Sequence, residues 1–320
     1  VSTPVLIDCD PGVDDAIALL YALASPELDV RGVTTVAGNT SLTHATRNAA
    51  RVLDLAAARA DLPFVAGLAG PVARPERIPD EPIHGAGGLG GLDLPDSGRA
   101  AAEGAPEWLA AQALAAPGAL TLVALGPLSN VAAMLAHRPE AGAALREIVV
   151  MGGAAHCQGN ITPAAEFNFF ADPEAARTVL ESGLPVRIVG LDVTRAALVP
   201  LEEADRLAAL PGAAAAAAGT LLRGFALRYG ERFGVAAAPV HDALAVTAVA
   251  DPGLLDYESG SATVECDGAV TRGALVADLR RPERTRAVRV ALGVDAARFT
   301  RLLADRLAGY GAAPRPPAGT

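Results

Sequence analysis

Short apolar runs alternate with helix-period segments from the start of the chain to about residue 191, and this rhythm constrains the fold more than any other feature. Pro4–Asp8, Val30–Val36, Pro63–Ala66, Leu120–Ala124, Ile148–Met151 and Val186–Leu191 read as buried strands. Asp14–Ala24, Ser41–Ala58, Leu128–Ala136 and Pro173–Glu181 read as helices, the second with Ser41 or Thr43 as its cap. Apolar strands separated by helices predict an α/β fold with an open, mostly parallel (Rossmann-like) central sheet covered on both faces. Further on, Tyr257–Ala277 alternates apolar and polar residues about Asp267-Gly268, which predicts a small antiparallel hairpin near the C-terminus. Asp295–Leu307 is the last helix. Neither an internal repeat nor a clean linker interrupts the chain. Residues 1–311 are therefore expected to form a single domain, followed by a flexible Pro-rich tail at 312–320.

Two segments depart from the rhythm. Residues 67–106 are rich in Pro, Gly and charge and contain His84-Gly85-Ala86-Gly87-Gly88-Leu89-Gly90-Gly91, a composition that predicts a mobile lid. Residues 201–237 read as helical, including the alanine run 213–218.

Ligands of such sheets lie beyond the carboxyl ends of the strands. Asp10, Asn39, Gly126 with Ser129-Asn130, and Met151 all fall at those ends. The first strand runs into four carboxylates, Asp8, Asp10, Asp14 and Asp15, around a Pro-Gly turn. One or two acids at a helix start would be read as caps. Four like charges this close point instead to a hard metal ion with oxygen ligands.

Charge and composition narrow the partners. A formal net charge of -10 with no basic stripe excludes nucleic acid as an expected partner. All the basic residues are arginine, so Schiff-base chemistry and a P-loop lysine are absent. The three cysteines, Cys9, Cys157 and Cys266, form no CxxC pair and predict a reduced, cytoplasmic protein. No signal-peptide pattern opens the chain, and no apolar run is long enough for a membrane span.

Two further constellations carry chemistry. In Val240-His241-Asp242-Ala243-Leu244, Asp242 can cap a helix over 242–250, and His241 is either a packed histidine or an acid/base group. In residues 159–173, Asn160, Glu166 and Asn168 offer donors and acceptors for sugar hydroxyls, and Phe167 offers an aromatic face. Asp172, just before Pro173, reads as a helix cap. Cys9 points away from Asp8 and Asp10 along the strand and reads as packing.

These motifs carry a resemblance. DCDPGVDDAIALL at the start, TTVAGN at 34–39, LVALGPLSNVA at 122–132, VVMGGA at 149–154, GN and AEFNFFADPEAA within 159–176, and HDALAV at 241–246 resemble the inosine–uridine-preferring nucleoside hydrolase family, in the family's order. The resemblance implies a glycosidase acting on N-glycosyl compounds, which cleaves ribonucleosides to free base and ribose by attack of a metal-bound water. It implies a Ca2+ ion held by Asp10, Asp15, the Leu125 carbonyl and Asp242. Asp14, Asn39, Asn160, Glu166 and Asn168 would bind the ribose, with Met151 against it, and His84 and Phe167 would contact the ligand. Asp10 would be the general base and His241 the leaving-group acid. A homodimer or homotetramer is implied too. Purine or pyrimidine preference is not, nor any role for His156, Cys157, Arg228, Tyr229 or Phe233.

Two other readings stay open at this point. Asp8-Cys9-Asp10 after an apolar strand is similar to the start of a haloacid-dehalogenase-type phosphatase, with Asp8 as nucleophile, although the chain lacks the lysine that chemistry uses. A non-catalytic nucleoside-binding protein would keep the fold and the metal alone.

Overall fold

The computed structural model describes residues 2–74, 82–85, 87–280 and 288–311. The expected tail at 312–320 and part of the expected lid lie outside the described residues. The strands are β1 (Thr3–Cys9), β2 (Leu28–Thr35), β3 (Phe64–Ala66), β4 (Ala102–Glu103), β5 (Thr121–Ala124), β6 (Glu147–Met151), β7 (Val186–Val189), β8 (Val199–Pro200), β9 (Ala237–Ala238), β10 (Leu255–Val264), β11 (Leu275–Asp278) and β12 (Val288–Val294). The helices are α1 (Val13–Ala24), α2 (Leu42–Leu55), α3 (Ala105–Ala115), α4 (Ser129–His137), α5 (Pro139–Ala144) and α6 (Phe167–Ala171). They continue with α7 (Pro173–Leu180), α8 (Leu191–Thr194), α9 (Leu201–Ala208), α10 (Ala213–Phe233), α11 (His241–Ala250) and α12 (Ala296–Ala308).

Ten of the strands form one sheet in the order β4-β3-β2-β1-β5-β6-β7-β12-β10-β11. Pairing is parallel from β4 to β12, and β10 and β11 add an antiparallel edge. Strand β1 sits at the centre and is buried almost throughout. Its side chains alternate between two cores: Val5, Ile7 and Cys9 pack with α1, α10 and α11, whereas Leu6 packs with α3 and α4. Chain order reverses at β1, because β2 lies on one side and β5 on the other. That reversal opens a crevice at the carboxyl ends of β1 and β5, the usual ligand position in this architecture.

Four details differ from the sequence reading. Strand β7 stops at Val189, and Leu191 already belongs to a short helix. Asp267-Gly268 does not make a tight hairpin turn: pairing resumes only at Val264 with Leu275, and Glu265 ties down the N–H groups of Asp267 and Gly268 inside a longer loop. Within 67–106, the described part of the glycine-rich turn is packed rather than loose, with His84 and Leu89 buried. The end of the same stretch, read as irregular, holds strand β4 and the start of helix α3, which has Pro106 in its first turn. Among the described residues, no helix is long and apolar enough to cross a membrane.

Candidate active site

The Pro-Gly turn after β1 leads into α1, and Asp15 holds the corner. Its Oδ1 accepts the N–H of Asp10 at 3.0 Å, and its Oδ2 accepts the N–H of Gly12 at 3.0 Å. The side-chain amide of Asn39 also donates to Oδ2, at 3.1 Å. One carboxylate therefore fixes the backbone that carries the others.

Asp10 is enclosed by glycines. Its Oδ2 accepts the N–H of Asn39 at 2.5 Å. A Cβ on Gly38 would lie 2.0 Å from that oxygen, and one on Gly126 would lie 2.6 Å from Oδ1. The two loops after β2 and β5 thus require glycine here because the carboxylate occupies the space. Oδ1 of Asp10 and Oδ1 of Asp14 are buried without a hydrogen-bond partner among the described residues.

Carboxylate oxygens of Asp14, Asp15 and Asp242 all lie within 4.8 Å of one another. Asp242 comes from the start of α11, where it is buried and makes no cap; Val240 occupies the cap position. Burial, followed by the charges of neighbouring carboxylates, pushes Asp10, Asp14 and Asp242 well above the ordinary carboxylate range. Asp15 is also raised by burial, against the pull of the N–H groups it accepts. Buried like charges with orphaned oxygens are unstable without a compensating cation. The donor set is all oxygen and fits a hard divalent ion.

One pocket adjoins this cluster. Asp14, Asn39, His84, Leu125 and Met151 line it, as do Asn160, Glu166, Phe167, Asn168, His241 and Asp242. Asp10 and Asp15 are not in its wall. The Leu125 carbonyl, expected as a metal ligand, accepts the side-chain amide of Asn168 at 2.6 Å. The same amide reaches the Met151 carbonyl at 3.1 Å. Glu166 caps α6: its oxygens accept the N–H groups of Gly153 at 2.9 Å, Asn168 at 2.8 Å and Phe169 at 3.2 Å. Asn160 Oδ1 accepts the N–H of Phe167 at 2.9 Å. Asp172 is the cap of α7, as its place before Pro173 predicts.

Two histidines face the pocket. His241 Nδ1 meets the hydroxyl of Thr194 at 2.7 Å. Burial, with Arg195 nearby, lowers its pKa to about 3. His84 is lowered to about 3 as well, by burial and then by His241 and Arg228. His84 Nδ1 accepts the N–H of Val13 at 3.1 Å, so its 3.7 Å approach to Asp14 Oδ1 is not an ion pair.

Sequence reasoning missed Ile83, Arg195, Phe225 and Arg232 in the pocket wall. Arg195 could have been noticed by the strand-end rule, since it follows β7. Its two terminal nitrogens hold the carbonyls of Gln158 and Gly159 at 2.6 and 2.7 Å, just before Asn160. Tyr229 and Phe233, left without a role, line the pocket with ring centroids 4.6 Å apart. Asp8 lies elsewhere: it is buried in the sheet, bonded to Thr34 at 2.5 Å and Asn130 at 2.8 Å, and is not in the pocket wall. A nucleophilic role for Asp8, as in a phosphatase, has no access to substrate.

Comparison with known proteins adds a family. A family model described as "Inosine-uridine preferring nucleoside hydrolase" matches residues 5–301. A pyrimidine-specific ribonucleoside hydrolase RihA of Shewanella sp. (strain MR-7) is 40% identical over 313 residues, covering 97% of this chain and 98% of its own. Another RihA, from Escherichia coli O9:H4 (strain HS), is also 40% identical, over 97% and 100% of the two chains. Among solved structures, a purine-preferring ribonucleoside hydrolase from Gardnerella vaginalis superposes with a TM-score of 0.91 at 31% identity, over 97% of this chain and 99% of its own. A plant nucleoside hydrolase, PpNRh1, gives 0.90 at 33% identity, over 96% and 99%.

Proposed function

Since the chain belongs to the inosine-uridine preferring nucleoside hydrolase family and is an N-glycosidase acting on ribonucleosides, we propose a specific form of that activity. It is a calcium-dependent hydrolase that prefers pyrimidine ribonucleosides. The observation that carries the metal reading is the pair of buried, unpartnered carboxylate oxygens on Asp10 and Asp14 beside Asp15 and Asp242. Asp10, Asp15, Asp242 and the Leu125 carbonyl would hold the ion. Asp14 belongs to the same oxygen cluster and also lines the pocket. When bound, calcium would offset the clustered charge, orient sugar hydroxyls and make water more acidic.

The chain's own residues divide the remaining work. Cleavage of an N-glycosidic bond builds positive charge on the sugar, which nearby carboxylates stabilise. Asp10, beside the proposed ion, accepts a proton from the attacking water. Asp14, Asn39, Asn160 and Asn168 supply the polar groups for ribose, with Glu166 holding the loop that carries Asn168, and Met151 lies against the sugar. Phe167, with Tyr229 and Phe233, offers aromatic faces to the base. His84 forms one wall of the pocket, and His241 protonates the departing base. The proton comes from the imidazolium form, which is left as a neutral imidazole, and Thr194 holds the ring through Nδ1. The pyrimidine preference follows the 40% identical relatives. A cytoplasmic homo-oligomer completes the reading, in keeping with three free cysteines.

The experiment is a panel of uridine, cytidine, inosine and adenosine, each assayed with added calcium and with chelator. Release of free base and ribose, fastest with uridine or cytidine and abolished by chelation, is the expected result. Full turnover in chelator would overturn the metal reading, and an inosine rate above that of uridine would overturn the base preference.

A further inference from the structure

On α10, Tyr229 lines the substrate pocket and its neighbour Arg228 does not. Arg228 instead reaches the glycine-rich turn. Its Nε donates to the Ile83 carbonyl at 2.7 Å, and its Nη1 lies 3.5 Å from the Gly90 carbonyl. Those two carbonyls flank the turn, which is closed by a hydrogen bond from the N–H of Gly90 to the carbonyl of His84 at 2.7 Å. Gly90 has φ +61, and a Cβ there would stand 2.5 Å from Arg228 Nη2. The backbone conformation favours glycine, and a methyl there would have to push the guanidinium out of its place. From the other side, Asn48 Nδ2 joins the Gly87 carbonyl at 2.7 Å to the Pro11 carbonyl at 3.0 Å.

The consequence is the placement of His84. Held between these anchors, its Nδ1 takes the N–H of Val13 at 3.1 Å, and its ring meets Phe225 of α10 with centroids 5.6 Å apart. Arg228 Nη2 is buried with no hydrogen-bond partner among the described residues. Leaving a guanidinium donor unsatisfied is costly, and an apolar side chain would fill the same space without that cost. The group earns its place through the carbonyls it fixes.

We propose that Arg228 is a positioning residue that latches the His84 turn to α10, so that one helix sets both the turn and the Tyr229 side of the pocket. The inference rests on that pocket being the ribonucleoside site. A loosened turn lowers the fraction of enzyme able to bind substrate, which raises KM in proportion, while groups that move protons stay in place.

The test compares wild type with Arg228→Met, Arg228→Lys, Gly90→Ala and the double variant Arg228→Met/Gly90→Ala, using uridine and inosine with calcium. Arg228→Met is expected to raise KM about tenfold or more with kcat within about threefold, and Arg228→Lys to recover part of the loss through one donor. The double variant is expected to be no worse than the poorer single one, because both remove one contact. Amide hydrogen exchange is expected to speed up in Arg228→Met only over residues 83–91. Unchanged KM and exchange in a folded Arg228→Met protein, or additive losses in the double variant, would overturn the latch. Exchange needs no turnover, so it decides the latch even if wild type cleaved neither nucleoside, a result that would count against the functional reading instead.

Discussion

Thr194 and His241 meet through their side chains, Oγ1 to Nδ1 at 2.7 Å, across 47 positions of sequence. Thr194 ends α8 and is itself buried, so the hydroxyl has a fixed place from which to orient the imidazole. The contact holds the ring whether Nδ1 donates, as in the imidazolium, or accepts, as in the neutral form with its proton on Nε2.

Thr194→Val is therefore expected to lower kcat on uridine and inosine by about 10- to 100-fold, at or below the bottom of the range for a lost general acid, because the acid itself remains. A nitrophenyl riboside, whose leaving group departs without a proton, is expected to lose little. His241→Ala should show the same split, more strongly. Steady-state rates on the two substrate types check this, and equal losses on both would remove the acid role from His241.

Asp242→Asn is expected to act with opposite signs on two observables. It removes one of several crowded buried charges, so the chelated variant should melt at or above chelated wild type. It also removes an oxygen ligand, so calcium should no longer raise its melting temperature and hydrolysis should be lost. Thermal unfolding with and without calcium, alongside activity, checks both signs.

Gly38→Ala is expected to abolish turnover while leaving a folded protein. The new methyl would lie 2.0 Å from Asp10 Oδ2 and 2.6 Å from Pro127 Cδ, and Asp10 is the shorter path to relief. Overpacking of this kind costs about 1–3 kcal/mol. Denaturant unfolding measures that cost, and activity near the wild-type value would contradict the assigned position of the Asp10 carboxylate.

Stability should fall as pH rises from about 4 to about 6, through Asp8. Burial raises its carboxyl to about 6, against hydrogen bonds from Thr34 and Asn130 that lower it. A folded pKa above the unfolded one means that the folded state favours the protonated form. Its contribution is full below the unfolded value of 3.8 and is lost as pH passes the folded value of about 6. The penalty at neutral pH is on the order of 3 kcal/mol. Asp8→Asn, which keeps an acceptor for Thr34 and Asn130, is expected to flatten that slope in chelated protein. Unfolding free energies at pH 4, 5, 6 and 7 check it.

Much of the architecture was readable because its signals are local. Val5, Leu6 and Ile7 alternate between two cores within three residues, and the Pro-Gly turn after Asp10 ends a strand whatever surrounds it. The antiparallel hairpin of β10 and β11 is there, but its tight turn is not, for a matching reason. Asp267-Gly268 carries a turn signal, yet Glu265 spends its carboxylate on those two N–H groups and the strands separate before reaching them. Asp172 was legible as a cap from its place before Pro173, while Asp242, with equal propensity, was drawn into the acid cluster by tertiary packing.

The sequence by itself determined a parallel α/β sheet and put the acids and amides of the site at the carboxyl ends of its strands, since period and strand polarity are properties of a few neighbouring residues. Tertiary structure alone decided which of them meet. Asp8 and Asp10 are two residues apart, yet one is locked inside the sheet by Asn130 and the other is walled in by Gly38 and Gly126. Arg228 meets Ile83 across 145 positions, and no local pattern encodes such a pair. Contacts of this kind depend on how helices pack against the finished sheet, a long-range outcome in which a side chain's partner is set by the fold and not by its neighbours in sequence.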